Sequence, residues 1–432
     1  MENIMGNIIE NIKVVFCGSG KRANGIAEAI APIKEFEVIG VCDPYLDKAE
    51  TFADRLEKER GLRPAIYTDH IAMLDELKPD AAFVVANWEE HVRIAIDAMK
   101  RKIAVAMEVG GAYELEECFE LVEVYEETKT PFFFLENCCF GKDELLATSL
   151  VRNGLFGEIV YCHGIYGHDL RNEVSYGDKT RHYRLRNYMH RCAENYPTHE
   201  LGPIAKILGI NRGNRMVRLS SHASKARGIH EYVQDKPELA YLKNVEFKQA
   251  DIVETVITCE NGELITIRLD TTLPRYYDRE FTVRGTRGMY SQMNNMVFLD
   301  DGTYDTRGDR IVIDGKRSEK PYQSAAASEW FLNSAKKYED KYLPEIWKGV
   351  TLDILMQGHG GMDYFEFLCF ADCLKNGKEM PLDVYDAAAW MCVTCLSEQS
   401  IKNGGAPVEI PDFTKGKYKD RQILDVVDIP KV

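Results

Sequence analysis

The stretch Val14-Val-Phe-Cys-Gly-Ser-Gly-Lys-Arg-Ala23 constrains this chain more than any other. The apolar run Ile12 to Phe16 ends in Gly18-Ser19-Gly20, and a segment with Ile26, Ala27 and Ile30 on one helical face follows. Strand, glycine turn and helix start, in that order, make a dinucleotide-binding unit. Gly18 permits the tight turn, and Gly20 lets the backbone approach a pyrophosphate at the positive end of the helix. Ala23 takes the third glycine position, where strand and helix pack closely. A second apolar strand, Val38 to Cys42, ends in Asp43, 23 residues after Gly20. A carboxylate there accepts hydrogen bonds from the adenosine ribose hydroxyls and repels a 2′-phosphate, so the expected cofactor is NAD rather than NADP. Lys21 and Arg22 join the expected cofactor contacts, Arg22 at the pyrophosphate.

The alternation of strand and helix continues to Glu136. A helix is predicted around Lys48–Arg60, a strand at Ala65–Tyr67, a buried strand over Asp80–Ala86 and a helix over His91–Met99. Ile103–Met107, Leu115–Tyr125 and Pro131–Leu135 then read as strand, helix and strand. Continuous apolar strands between amphipathic helices predict an α/β fold with a doubly wound parallel sheet. The boundary falls near Asn137, giving a nucleotide-binding part over 1–137 and a second, α+β part over 138–432.

In the second part a helix (Asp143–Val151) precedes the alternating strands Glu158–Tyr166, Val245–Glu260, Glu263–Asp270 and Glu280–Gly285. Asn261-Gly262 is a hairpin signal between two of them. One polar face predicts an open, mainly antiparallel sheet covered on one side by helices. Residues 299–317 read as surface turns and a hairpin. Helices return at Gly361–Leu374 and Val384–Asn403, and the tail from Pro411 is irregular.

A net charge of −15 over 432 residues argues against nucleic acid or anionic membrane as a partner. No window approaches a membrane span. Met1–Asn7 lacks the layout of a signal peptide, so a cytoplasmic location is expected. Among the twelve cysteines, Cys17, Cys42 and Cys162 lie in strand patterns. Neither Cys138-Cys139 nor Cys392/Cys395 has a histidine partner or second pair at zinc spacing, so no metal is expected.

Ligands of such sheets bind beyond the carboxyl ends of the strands. Asn87-Trp88-Glu89-Glu90-His91, Glu108-Val109-Gly110-Gly111 and Glu136-Asn137 answer to that edge. Trp88, His91, Glu108 and Asn137 are therefore expected near the nicotinamide end, with Trp88 either against the ring or anchoring the core. In the strand Glu158–His168, alternation places Cys162, Gly164, Tyr166 and His168 on one face. Tyr166 and His168 offer a phenol and an imidazole for proton transfer, or simply a half-exposed polar face. Pro197 suits a first helical turn, which sets Tyr196 and His199 facing the same way. Arg181, Arg184, Arg186 and Arg191 form a basic stretch, of which one or two could reach a substrate oxygen.

The N-terminal half resembles the Gfo/Idh/MocA oxidoreductases, which join a Rossmann domain to an open-faced α/β domain. A closer likeness is to the NAD-dependent α-N-acetylgalactosaminidases of glycoside hydrolase family 109. The matching stretches are Met107-Glu-Val, Leu135-Glu-Asn-Cys-Cys-Phe140, Gly154-Leu-Phe-Gly-Glu158, Tyr166-Gly-His-Asp-Leu-Arg171 and Tyr183-Arg184. Asn195-Tyr-Pro-Thr-His-Glu-Leu-Gly-Pro203, His359-Gly-Gly-Met-Asp-Tyr364 and Asp383-Val-Tyr-Asp-Ala-Ala-Ala-Trp390 complete the ordered set. Dehydrogenases of the broader family usually carry Glu-Lys-Pro after the fifth strand, the lysine assisting proton transfer. Here that place reads Glu108-Val109-Gly110, and the glycosidases lack the lysine too.

The resemblance implies a carbohydrate or glycoside substrate and a cycle with NAD as hydride acceptor and donor, while the exposed sheet face of the second part makes a homo-oligomer the expectation. Oxidation of the sugar's 3-hydroxyl acidifies the proton on carbon 2; its removal expels the glycosidic oxygen; water adds back and the ketone is reduced again. No paired carboxylates are needed. Carried over, Tyr166, His168, Tyr196 and His199 form the proton-transfer and hydroxyl-binding group. Arg184 and Glu136 position the sugar, and His359 closes the pocket. Which of Tyr166, Tyr196 and His199 serves carbon 3, carbon 2 or the leaving oxygen stays open. Glu200 stands where the family commonly has glycine, and Gly110-Gly111 where a proline-containing loop is common. A sugar or 3-keto-glycoside dehydrogenase and a non-catalytic sugar sensor on the same fold are the alternatives.

Overall fold

The computed structural model describes residues 11–300 and 334–432 in full, and between them only the strand backbone at 304–305, 310–313 and 316–321. The Met1–Asn7 segment lies outside the described residues. Of the 299–317 reading, the strands β14 (Tyr304–Asp305), β15 (Arg310–Ile313) and β16 (Lys316–Pro321) are described, and they pair antiparallel.

Strands β1 (Ile12–Cys17), β2 (Phe36–Cys42), β3 (Ala65–Tyr67), β4 (Ala81–Val84), β5 (Ala104–Glu108) and β6 (Phe132–Leu135) form one parallel sheet in the order β3-β2-β1-β4-β5-β6. β4, β5 and β6 are buried along their whole length because helices cover both faces. The covering helices are α1 (Lys21–Ala29), α2 (Leu46–Arg60), α3 (His70–Leu77), α4 (His91–Lys100) and α5 (Leu115–Thr128). Helix α3 was not anticipated. It is too short to show a clear period, yet the Asp69 side chain caps it by accepting from the backbone of Ile71 and Ala72.

After α6 (Lys142–Arg152) the chain enters an eight-stranded sheet of order β13-β12-β11-β7-β10-β9-β8-β17. Its strands are β7 (Ile159–Gly167), β8 (Met216–Ala223), β9 (Ile252–Cys259), β10 (Leu264–Asp270), β11 (Thr282–Gly285), β12 (Gly288–Ser291), β13 (Met296–Leu299) and β17 (Val408–Glu409). All neighbours run antiparallel except β7 and β10, which are parallel. The strand expected from Val245 begins only at Ile252. Before it, the Lys248 and Gln249 amides donate to the Tyr188 carbonyl and the Asp251 amide to that of Lys225, so this stretch is pinned to neighbouring loops. The Asn261-Gly262 turn joins β9 to β10, with Gly262 at φ +102°.

Between β7 and β8 lie α7 (Arg171–Ser175), α8 (Gly177–Thr180), α9 (Arg184–His190) and α10 (Thr198–Leu208), and α11 (Gly228–Val233) follows β8. Helix α10 packs on β7. Two late helices join the sheets. Helix Met362–Asn376 sets Phe367 and Phe370 against Phe36 and Phe83 of the first sheet, with Phe83 and Phe367 5.1 Å apart. Helix Val384–Lys402 runs between α5, β6 and β8, with Trp390 fully buried. Burying one such side chain is worth about 1.5–3 kcal/mol. The first of these helices thus packs on the first sheet, and the second ties β6 of that sheet to β8 of the other.

Candidate active site

The glycine turn is built as an anion cradle. Gly18 adopts φ +109°, and a Cβ there would lie 2.4 Å from the Val85 carbonyl oxygen. A Cβ on Gly20 would meet nothing within 4 Å, and no side chain caps α1. The first amides of α1 therefore have no side-chain acceptor, and Gly20 leaves room beside them, which fits a pyrophosphate. Asp43 ends β2 with its carboxylate accepting from the Ser19 amide (3.0 Å) and hydroxyl (2.8 Å), fixed beside the turn where ribose would lie. Lys21 remains exposed.

Arg22 differs from the expectation. Its Nε donates to Glu108 at 2.5 Å and its Nη1 to Asp363 at 2.5 Å, with His359 Nδ1 3.1 Å away. A contact with pyrophosphate would have to displace one of these pairs. Burial pushes Glu108 up, against the pull of Arg22. Asn137 donates to the same Asp363 at 2.6 Å. His359, with its side chain 48% exposed, also meets Asp363, at 2.9 Å. His91 is fully buried and held neutral, its pKa lowered to about 4 by burial.

Trp88 is buried against Tyr183 (ring centroids 4.8 Å), Tyr196 (5.9 Å) and the Arg184 guanidinium (5.3 Å). The glycines that follow Val109 are explained by crowding. A Cβ on Gly110 would come within 2.1 Å of Trp88 Nε1, and one on Gly111 within 1.9 Å of Thr394 Oγ1.

Opposite lies an aromatic and imidazole wall. Tyr166, at the end of β7, stacks at 4.5 Å on Tyr196, and its hydroxyl lies 3.1 Å from His168 Nδ1. Tyr196 precedes α10 and His199 occupies its first turn, their rings 4.9 Å apart and nearly perpendicular. His199 Nδ1 lies 2.8 Å from Glu136. As Glu136 is completely buried, this bond makes it the orienting partner of the imidazole, and its other oxygen, Oε2, has no hydrogen-bond partner among the described residues. Burial opposes its charge, but His199 and the Cys138 amide outweigh burial and hold it below the usual carboxylate range. Glu136, Cys138 and His199 bring donor atoms within 4.8 Å of one another. Burial pushes the Cys138 thiol well up, and the Cys138 amide donates to Glu136 at 3.1 Å.

Arg184 is the buried cation of this wall, paired with Glu173 at 3.2 Å and lying over Tyr196. Of the other arginines of that stretch, Arg181 pairs with Asp47 and Arg186 with Glu89 toward the surface, and Arg191, largely buried, pairs with Glu398. Burial pushes the Tyr166 and Tyr196 phenols up, and Tyr183 to about 12, while Arg184 pulls the other way. His168 is lowered by burial and then by Arg184. Three residues of the site escaped the sequence reading. Tyr277 packs edge-on to His168 at 5.2 Å, but nothing in Tyr276-Tyr277 tells the two apart. Glu173 lacked a visible partner. Asp363 did carry a signal, four residues after His359 on a helical register.

Residues 12–135 match the family described as oxidoreductase family, NAD-binding Rossmann fold, and residues 140–420 match glycosyl hydrolase 109, C-terminal domain. An α-N-acetylgalactosaminidase of Tannerella forsythia is 35% identical, over 94% of this chain and 87% of its own. A glycosyl hydrolase family 109 protein of Akkermansia muciniphila is 33% identical, over 97% and 85%. Among solved structures, levoglucosan dehydrogenase with NADH superposes with a TM-score of 0.65 at 15% identity, covering 93% of this chain and all of that one. Myo-inositol 2-dehydrogenase of Lactobacillus plantarum gives 0.61 at 15% identity, with 93% and 100% coverage. With its NAD-binding and C-terminal regions both matched and relatives above 30% identity over nearly its whole length, this chain belongs to glycosyl hydrolase family 109 and is an NAD-dependent enzyme.

Proposed function

We propose that the protein hydrolyses α-N-acetylgalactosaminides or closely related glycosides by transient oxidation at carbon 3, elimination, water addition and re-reduction. The observation that carries this reading is the His199–Glu136 hydrogen bond inside a wall of protonated phenols, on a fold with no lysine after Glu108. Bound NAD supplies the hydride acceptor and returns the hydride at the end. His199, with Nδ1 engaged by Glu136, presents Nε2 as the base for the carbon 2 proton. Tyr166, its hydroxyl 3.1 Å from His168 Nδ1, would take the 3-hydroxyl proton as its own passes to His168 and return it on re-reduction, while Tyr196 protonates the oxygen leaving carbon 1 and recovers a proton from the added water. Arg184 and His168 orient the sugar hydroxyls. In the proposed division of work, residues 1–137 hold the cofactor and 138–432 present these side chains.

The test uses protein as isolated, without added cofactor, and an aryl α-N-acetylgalactosaminide in heavy water. Release of the aryl group with deuterium at carbon 2 of the sugar is expected. Aryl release with no deuterium at carbon 2 would sink the elimination route, and NADH build-up from free sugar would point to a dehydrogenase instead.

A further inference from the structure

Asp363 is completely buried at the start of helix Met362–Asn376, yet its carboxylate gathers donors from three separate places in the chain. Arg22 forks onto it, Nη1 to Oδ2 at 2.5 Å and Nη2 to Oδ1 at 3.2 Å. Asn137 Nδ2 donates to Oδ1 at 2.6 Å, and His359 Nδ1 lies 2.9 Å from Oδ2. Arg22 stands two residues after Gly20, at the pyrophosphate turn, and its Nε is held by Glu108 at the end of β5. Asn137 follows β6. The Asp363 bridge therefore reaches from the pyrophosphate turn after β1 to the β5–β6 edge, where the nicotinamide end is expected.

The chain before Asp363 is shaped to admit the bridge. A Cβ on Gly358 would lie 2.3 Å from Asp363 Oδ2, and Gly361 at φ +93° packs against Ile354. Helix Met362–Asn376 is itself bound to the first sheet through Phe367 and Phe370. Although burial disfavours its charge, Arg22 and His359 hold the Asp363 carboxyl well below the usual range, so the bridge is ionic throughout neutral pH.

We infer that Asp363 is a cofactor-retaining residue: through Arg22 and Asn137 it straps the late helix across the groove, and NAD leaves only when this strap opens. The role rests on the recycling reading above, in which NAD stays bound between turnovers. It gives an otherwise reversible cofactor site a slow exit without adding any contact to the nicotinamide.

The test compares wild type, Asp363→Asn and Arg22→Lys for NAD content as isolated and for NADH dissociation, read as loss of bound fluorescence on chasing with excess NAD⁺. Asp363→Asn is isosteric and keeps one acceptor for Asn137. It is expected to release NADH about tenfold faster or more, with the association rate unchanged. Arg22→Lys keeps the charge but loses the fork, and falls between. An unchanged dissociation rate in a folded Asp363→Asn protein overturns the strap. If that variant does not fold, an unchanged rate in Arg22→Lys does so. Rapid exchange in the wild type would sink the recycling reading alone, because the ratio of rates still decides the role of Asp363.

Discussion

The two walls of the site handle charge in opposite ways. On the cofactor side, ionic groups are buried in matched sets: Arg22 with Glu108 and Asp363, and Asp43 with the Ser19 donors. On the sugar side, Glu136 and the Arg184–Glu173 pair keep their charge, but burial holds the groups around them neutral. Tyr166 and Tyr196 stay protonated, His168 is lowered, and Glu194 beside Tyr196 is pushed up to about 8. Glu200, next in the chain to His199, is raised further, with neither oxygen partnered among the described residues. Paired charges fix a ligand in place, whereas neutral acids and imidazoles can exchange protons with it. One wall is built to hold and the other to react.

Mutations can break that division. The largest expected effect is at His199: replacement by alanine should cut turnover about 10²- to 10⁴-fold and leave NAD content untouched. Loss of NAD as well, measured in the purified variant, would mean the walls are not separable. Glu136→Gln should cost less, about 10- to 100-fold in kcat, the worth of a hydrogen bond to a charged partner. It should also shift the pH–rate profile, which a merely structural role would leave in place. The smallest effect belongs to the cofactor side. His91 has a folded pKa of about 4 against about 6.5 unfolded, so the unfolded chain binds the extra proton first. Its stability contribution is complete above about pH 6.5 and falls as the pH drops toward 4. Between pH 6.5 and 5.5 this amounts to about 1 kcal/mol, and chemical denaturation of His91→Leu should lack that portion of the decline.

Legibility in the sequence followed distance along the chain. The β1 turn, Asp43 and the order of alternating elements are local patterns, each set by a few residues of one period, and they emerge at nearly the expected positions. Tyr196 and His199 were paired correctly because three residues on a helix start decide their common face. The pairing of Arg22 with Asp363 was not legible because the two lie 341 positions apart, and no local rule links them. Glu136 was legible as a site carboxylate, since a charge ending Phe132–Leu135 needs a buried partner, but that partner is 63 positions on. Strand β8 shows little alternation because its far end turns outward, leaving only half of it patterned.

The parallel contact between β7 and β10 carries a kinetic consequence. Tyr166 sits on β7, and residues 168–263, with α7 to α11, β8 and β9, must be threaded between that strand and its partner. No hairpin can start this pairing. Closing so long a loop is costly in chain entropy, and ladders of this separation slow folding. The reactive wall thus waits for a large part of the chain to collapse, while β1 pairs with β2 and β4 across shorter separations. A cofactor-competent fold can precede a catalytic one, and refolding followed by NADH fluorescence alongside activity would see the two arrive in that order.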